Sequence, residues 1–99
     1  MKLLKFTGDI SLDQAFDQNK DVIYDNVLEK IQESYQDETV DEVKVITIEI
    51  NNVEYSINLA RVKFVSSLEN AIAHYEKIEL YEKCQVCLDI IREIKSKNK

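Results

Sequence analysis

Residues 43–59 read VKVITIEINNVEYSINL, two alternating apolar runs on either side of Asn51-Asn52. Alternation with a period of two marks a strand with one buried face. An Asn-Asn pair accepts the positive φ angles of a two-residue hairpin turn. The predicted register pairs Ile50 with Val53, Ile48 with Tyr55 and Ile46 with Ile57, so all six fall on one face and Leu59 extends it. The other face carries Thr47 across from Ser56 and Glu49 across from Glu54, a like-charge pair that weakens a ladder slightly. A slip of one residue would scatter the apolar set over both faces, so the register is strongly specified.

The rest of the chain reads as helix, apart from "KLLKF" near the start, which has the length and apolarity of a short strand. Ser11 in "SLDQ" suits an N-cap, with Gln14 three residues on and Asp13 in the first turn. Apolar residues then recur at Leu12, Ala15 and Phe16, and again from Ile23 through Tyr24, Val27, Leu28 and Ile31 to Tyr35. "DQNKD" is a candidate interruption between a short helix and a long one, and "QDETVDE" an acidic linker.

Beyond Arg61, Phe64, Leu68, Ala71, Tyr75 and Ile78 form one helical stripe, supported by Val65 and Ile72. Tyr81, Cys84, Leu88 and Ile91 form a second, supported by Cys87 and Ile94. At about 100° per residue the two stripes are out of phase, which predicts a break near "IELY" and two packed helices. With Pro 0 and Gly 1, few sites remain for other tight turns. The expectation is an α+β fold of order β-α-β-β-α-α. A small antiparallel sheet, made of the hairpin 43–59 and the N-terminal strand, packs against helices and is followed by a C-terminal helical hairpin. Residues 1–99 form a single domain.

A chain that is 44% hydrophobic and 32% charged is too apolar to be disordered. No apolar run approaches the roughly 18 residues of a membrane span, and "MKLLKFTGDIS" lacks the long apolar stretch of a secretory signal. Two cysteines without a disulfide framework suit a reducing compartment, so a cytoplasmic protein is expected.

Chemistry-bearing motifs are scarce. "EKCQVCLDI" holds C-x-x-C, but zinc needs further ligands, and a redox pair favours a helix start. Cys84 and Cys87 instead continue an apolar stripe, so they are expected to pack as small hydrophobes. His74, the single histidine, shares a polar face with Ser67 and Asn70 and is expected at the surface. "DQNKD" opens like a calcium loop, but Val22 stands where that loop needs Gly and Leu28 where it needs Glu. No catalytic site, cofactor or metal is expected.

"LENAIAHYEKIELYEKCQVCLDII", within residues 68–96, resembles one tetratricopeptide repeat. Leu68, Ala71 and Tyr75 fall where that family has its Trp, Leu and Tyr, and Cys84 and Leu88 match its A-x-x-x-F. Ile72 occupies the usual glycine position and Ser96 the proline, and there is a single copy. The resemblance implies an antiparallel helical hairpin and a protein-binding role.

Charge carries the remaining signal. Asp13, Asp17, Asp21, Asp25, Glu29 and Glu33 recur at every fourth position, the spacing of neighbours on a helix. Like charges at that spacing cost about 0.2–0.5 kcal/mol per pair. Residues 1–60 hold 13 acids against 5 bases, whereas residues 61–99 hold 6 against 8. Such a balance argues against gripping nucleic acid directly, which needs a basic footprint. One reading is a solvated face kept acidic for solubility. The other is a surface complementary to a basic protein partner, extended by Glu49 and Glu54 and in its sharpest form a nucleic-acid mimic. In composition the chain is similar to small acidic phage proteins, and a phage-type inhibitor of a basic, nucleic-acid-handling protein is the concrete expectation. The competing expectation is an adaptor or assembly subunit that binds through the apolar helical hairpin or an open sheet edge, homo-oligomers included.

Overall fold

The computed structural model describes residues 3–97, so Lys2 of the expected first strand lies outside the described part, as do Met1, Asn98 and Lys99. In chain order it contains β1 (Leu3–Phe6), α1 (Leu12–Gln18), α2 (Lys20–Ser34), β2 (Glu42–Ile50), β3 (Val53–Ala60), a single 3-10 turn at Arg61–Lys63, α3 (Phe64–Lys77) and α4 (Tyr81–Lys97). The fold is α+β.

The hairpin adopts the predicted register throughout its turn half, from Ile50↔Val53 to Ile46↔Ile57, with Thr47↔Ser56 and Glu49↔Glu54 on the other face. Asn51 and Asn52 hold φ angles of 50° and 70°, as a two-residue hairpin turn requires. Farther from the turn, Lys44 pairs with Asn58, so Val45 is an extra residue on β2. This bulge returns Val43 to the face of Ile46 and lets Val43, Val45 and Ile46 all be buried.

The sheet is mixed, not antiparallel as the sequence suggested: its order is β1-β2-β3, and β1 runs parallel to β2 with Leu4 beside Ile48 and Phe6 beside Ile50. The connection from β1 to β2 explains the difference. It carries two helices, and a strand that returns to its neighbour through a helical crossover arrives parallel. The same segment amends the element order, because Asn19 divides it. Asn19 ends α1 with its backbone N–H on Phe16 O (3.1 Å) and its side-chain amide on Ala15 O (2.9 Å), and then precedes α2. The order is therefore β-α-α-β-β-α-α.

Local capping follows the sequence closely. Ser11 and Gln14 form a reciprocal capping box, at 3.1 and 2.9 Å. Asn51 also fastens the β1–α1 turn: its amide accepts from Gly8 N (2.9 Å) and donates to Gly8 O (2.8 Å). Gly8 has φ 98°, a conformation that favours glycine.

Helices cover one face of the sheet. Ile23, Val27, Leu28 and Ile31 of α2 join Val43, Ile46, Ile48 and Ile50 of β2 in the core, along with Phe64, Leu68, Ala71 and Tyr75 of α3 and Cys84, Cys87, Ile90 and Ile91 of α4. The other face carries Leu3, Lys5, Lys44, Glu54, Ser56 and Asn58, all exposed. α3 and α4 form the expected helical hairpin around a three-residue turn in which Glu79 takes φ 61°. Both stripes lose their cover at that turn: Ile78 and Tyr81, expected in them, are 41% and 62% exposed, and Leu80 lies between them at 40%.

Arg61 holds the linker between α2 and β2. Its Nε donates to Val40 O (2.6 Å), and its terminal nitrogens donate to Tyr35 O (3.3 Å), Ser34 O (3.1 Å) and Asp37 O. Its backbone N–H reaches Asp41 O (2.7 Å), and the guanidinium lies 5.3 Å from the Phe64 ring centroid. One cation thus satisfies carbonyls at the end of α2 that the helix leaves without partners.

Candidate functional site

The acidic row is exposed along its whole length, but the structure divides it into two kinds of carboxylate. The break at Asn19 separates Asp13 and Asp17 on α1 from Asp21, Asp25, Glu29 and Glu33 on α2. Within α2 these four lie away from the buried stripe Ile23, Val27 and Ile31.

Two members look toward neighbouring helices. Asp21 Oδ1 lies 2.6 Å from His74 Nε2 on α3. Asp25 Oδ1 accepts from Tyr75 Oη of α3 (2.7 Å) and from Lys83 Nζ of α4 (2.8 Å). Burial alone would raise the Asp25 pKa, yet the hydrogen bonds from Lys83 and Tyr75 and the Lys83 charge hold it below its ordinary value. Tyr75 moves the other way. Its complete burial and the adjacent Asp25 carboxylate raise its pKa far above the usual phenol range.

The remaining four are freer. Asp17 sits 3.9 Å from Lys20 and Glu33 3.6 Å from Lys30, both loose surface pairs of little energetic weight. Among the described residues, Asp13 and Glu29 have no cation within ion-pair distance.

Glu49 and Glu54 do not extend this surface. They alternate with Ile48, Ile50 and Tyr55 along the hairpin, and so project from the sheet face opposite the helices. Glu49 is half-buried and Glu54 exposed.

His74 is not the free surface residue that its polar neighbours suggested. Its side chain is 13% exposed, hydrogen-bonded to Asp21 and stacked on Tyr24 with centroids 5.0 Å apart. Shallow clefts of ≈ 320 and ≈ 360 Å³ flank it, the first walled by Asp17, Lys20 and Asp21 and the second by Lys20, Tyr24 and Lys77. Neither wall contains a serine, threonine or cysteine to act as a nucleophile beside the imidazole.

The two cysteines are buried thiols in the interior of α4. Cys84 Sγ donates to Ile72 O at 3.6 Å across the helical hairpin. Burial and the nearby Cys84 push the Cys87 thiol up to about 11, away from the reactive thiolate. Among the described residues no group of three or more His, Cys, Asp and Glu side chains is arranged to hold a metal ion, and no helix is long and apolar enough to cross a membrane.

The polar junction of Asp21, Asp25, His74, Tyr75 and Lys83 escaped sequence reasoning, because its members come from three helices and are 62 positions apart at the extremes. Helical spacing puts Tyr75 in the core, where the structure has it, but nothing local shows where a buried hydroxyl points. Compared with known proteins, the chain matches no family model, no curated protein and no solved structure.

Proposed function

We propose that the protein is a non-catalytic, cytoplasmic binding protein that docks on a basic protein partner through the acidic face of α1 and α2. The observation that carries this reading is the exposure of Asp13, Asp17, Glu29 and Glu33 beside an Asp21 whose side chain, though joined to His74, is still 71% exposed. Such a surface speeds encounter with a positive partner and disfavours negative ones. Its preferred target is a groove that handles nucleic acid, and the protein then acts as an inhibitor of the kind phages use.

Lys83 offsets the charge of Asp25 in the middle of the row, and Glu49 and Glu54 face elsewhere. The proposed footprint is therefore Asp13, Asp17, Asp21, Glu29 and Glu33. Duplex DNA carries a charge every ~1.7 Å of axis, a density that this single row does not reach. The reading accordingly rests on electrostatic complementarity, not on a copy of the phosphate backbone.

Affinity capture from a host lysate at low and moderate salt tests it. The informative variant combines Asp13→Asn, Asp17→Asn, Glu29→Gln and Glu33→Gln, and leaves the internally bonded Asp21 and Asp25 in place. Salt-releasable capture by wild type alone supports the reading; identical capture by both forms at both salts contradicts it.

A second reading draws on Ile78, Leu80 and Tyr81, the exposed apolar tip of the helical hairpin. There the protein is an adaptor or assembly subunit whose binding survives high salt and is lost on Leu80→Glu.

A further inference from the structure

The two edges of the sheet are built differently. β1 is four residues long and bears Lys5, a charge of the kind that guards an edge strand. β3 is eight residues long, VEYSINLA, with no proline, no lysine and a single charge at Glu54. The bulge that could twist an edge away lies on β2 instead. Among the described residues no helix covers the turn half of β3: Val53 and Tyr55 are 53% and 39% exposed although their partners Ile50 and Ile48 are buried.

The hairpin register also decides which backbone groups face outward. A two-residue turn is closed by a doubly hydrogen-bonded pair, here Ile50 and Val53, and such pairs then alternate. Val53, Tyr55 and Ile57 therefore spend their N–H and C=O groups on β2. Glu54, Ser56 and Asn58 direct theirs to the free edge.

We propose that β3 pairs antiparallel with β3 of a second copy of this chain, centred on Ser56, to form a continuous six-stranded sheet. In this register Ser56 of one protomer stands opposite Ser56 of the other, and Glu54 opposite Asn58. On the helix-side face Tyr55 meets Ile57, and Val53 meets Leu59. The strand is thus complementary to itself under a two-fold axis, as a closed dimer requires.

The polar pairs support this choice of occupant. Ser56 Oγ donates to Asn58 Oδ1 of its own strand (2.8 Å), which leaves the Asn58 amide hydrogens as donors for the opposing Glu54 carboxylate. The single charge on the strand meets a donor and not its own copy. α1 and α2 lie elsewhere, so pairing leaves the acidic row accessible. Each protomer carries −6, so screening relieves repulsion and the dimer tightens with salt, opposite to an acidic–basic complex.

Light scattering and sedimentation from low micromolar to near-millimolar protein test the proposal. Wild type is expected to pass from monomer to dimer, at lower concentration when salt is added. Ser56→Pro removes an outward-facing N–H that β2 does not use, a position where an edge strand accepts proline. It is expected to weaken the dimer at least about tenfold. Should that variant fail to fold, as judged by circular dichroism, Tyr55→Lys decides in its place.

Register is read by cross-linking. In a hydrogen-bonded antiparallel pair, opposing Cα atoms are about 5.5 Å apart, within disulfide reach. Ser56→Cys should therefore form an intermolecular disulfide under mild oxidation, and Glu54→Cys should not. A wild type monomeric at every concentration overturns the proposal. So does a dimer that is unaffected by the β3 variants but lost on Leu80→Glu, or one that cross-links through Glu54→Cys and not through Ser56→Cys.

Discussion

Tyr75 Oη donates to Asp25 Oδ1 at 2.7 Å, joining a fully buried phenol on α3 to a half-exposed carboxylate on α2. Lys83 of α4 bonds the same oxygen and also lies 5.3 Å from the centroid of the Tyr75 ring, so a single carboxylate ties three helices together. Tyr75→Phe keeps the ring packing and removes only the hydroxyl. Its expected cost is about 1.5–3 kcal/mol, the scale of one hydrogen bond to a charged group, read by urea denaturation with an unchanged slope.

Asp25 also sets an acid limit. Its folded pKa lies below the ordinary 3.8, so the unfolded chain takes up the proton first as pH falls. The stability it contributes is therefore present above about pH 4 and is lost as pH falls through the folded value. Asp25→Asn should lower stability near neutrality and flatten the acid limb of the stability–pH curve. Unaltered steepness below pH 4 would assign that limb to other groups, Asp37 among them, which Thr39 holds below its ordinary value.

The Arg61 clamp is expected to matter more than any surface ion pair. Arg61→Ala removes the guanidinium donors from the partly buried Tyr35 and Val40 carbonyls and one of the two donors of Ser34 O, which keeps the Asp37 N–H, an expected loss of at least about 2 kcal/mol. Arg61→Lys should restore little, because one ammonium cannot span Ser34, Tyr35 and Val40. Full rescue by lysine in thermal melts would show that charge alone is required.

Cys87 predicts the alkaline behaviour. Its pKa is raised from 9.0 to about 11, so the stability it contributes is complete below pH 9 and is lost as pH rises toward 11. Tyr75, raised from its ordinary 10.0, acts in the same direction. At neutral pH iodoacetamide should leave both thiols unmodified until denaturant is added. Rapid labelling of native protein would contradict the burial of Cys84 and Cys87.

The parts of the fold legible in sequence are those whose partners are close along the chain. The Asn51-Asn52 hairpin, the Ser11–Gln14 capping box and the break between Lys77 and Tyr81 each rest on local patterning or turn chemistry. The Val45 bulge had a trace in the sequence, since Val43 and Val45 are apolar on the parity opposite to Ile46, Ile48 and Ile50. The parallel pairing of β1, the reach of Arg61 to the end of α2 and the contact of His74 with Asp21 depend on how distant elements dock. Helical spacing identified the acidic row as one face, but it could not show that Asp21 and Asp25 are engaged by α3 and α4 while Asp13 and Glu29 are not. It also could not show that Glu49 and Glu54 project from the far side of the sheet.

The central claim, that the acidic face of α1 and α2 is the docking surface, is tested most directly by the salt dependence of the captured complex. Calorimetric titration of the purified partner would compare wild type with the combined Asp13→Asn, Asp17→Asn, Glu29→Gln, Glu33→Gln variant across a range of ionic strength. The account predicts a wild-type Kd that rises steeply with salt, and a variant that binds more weakly at low salt with a flatter dependence. Equal Kd values for the two forms, insensitive to salt, would contradict it and place the interface on apolar surface instead.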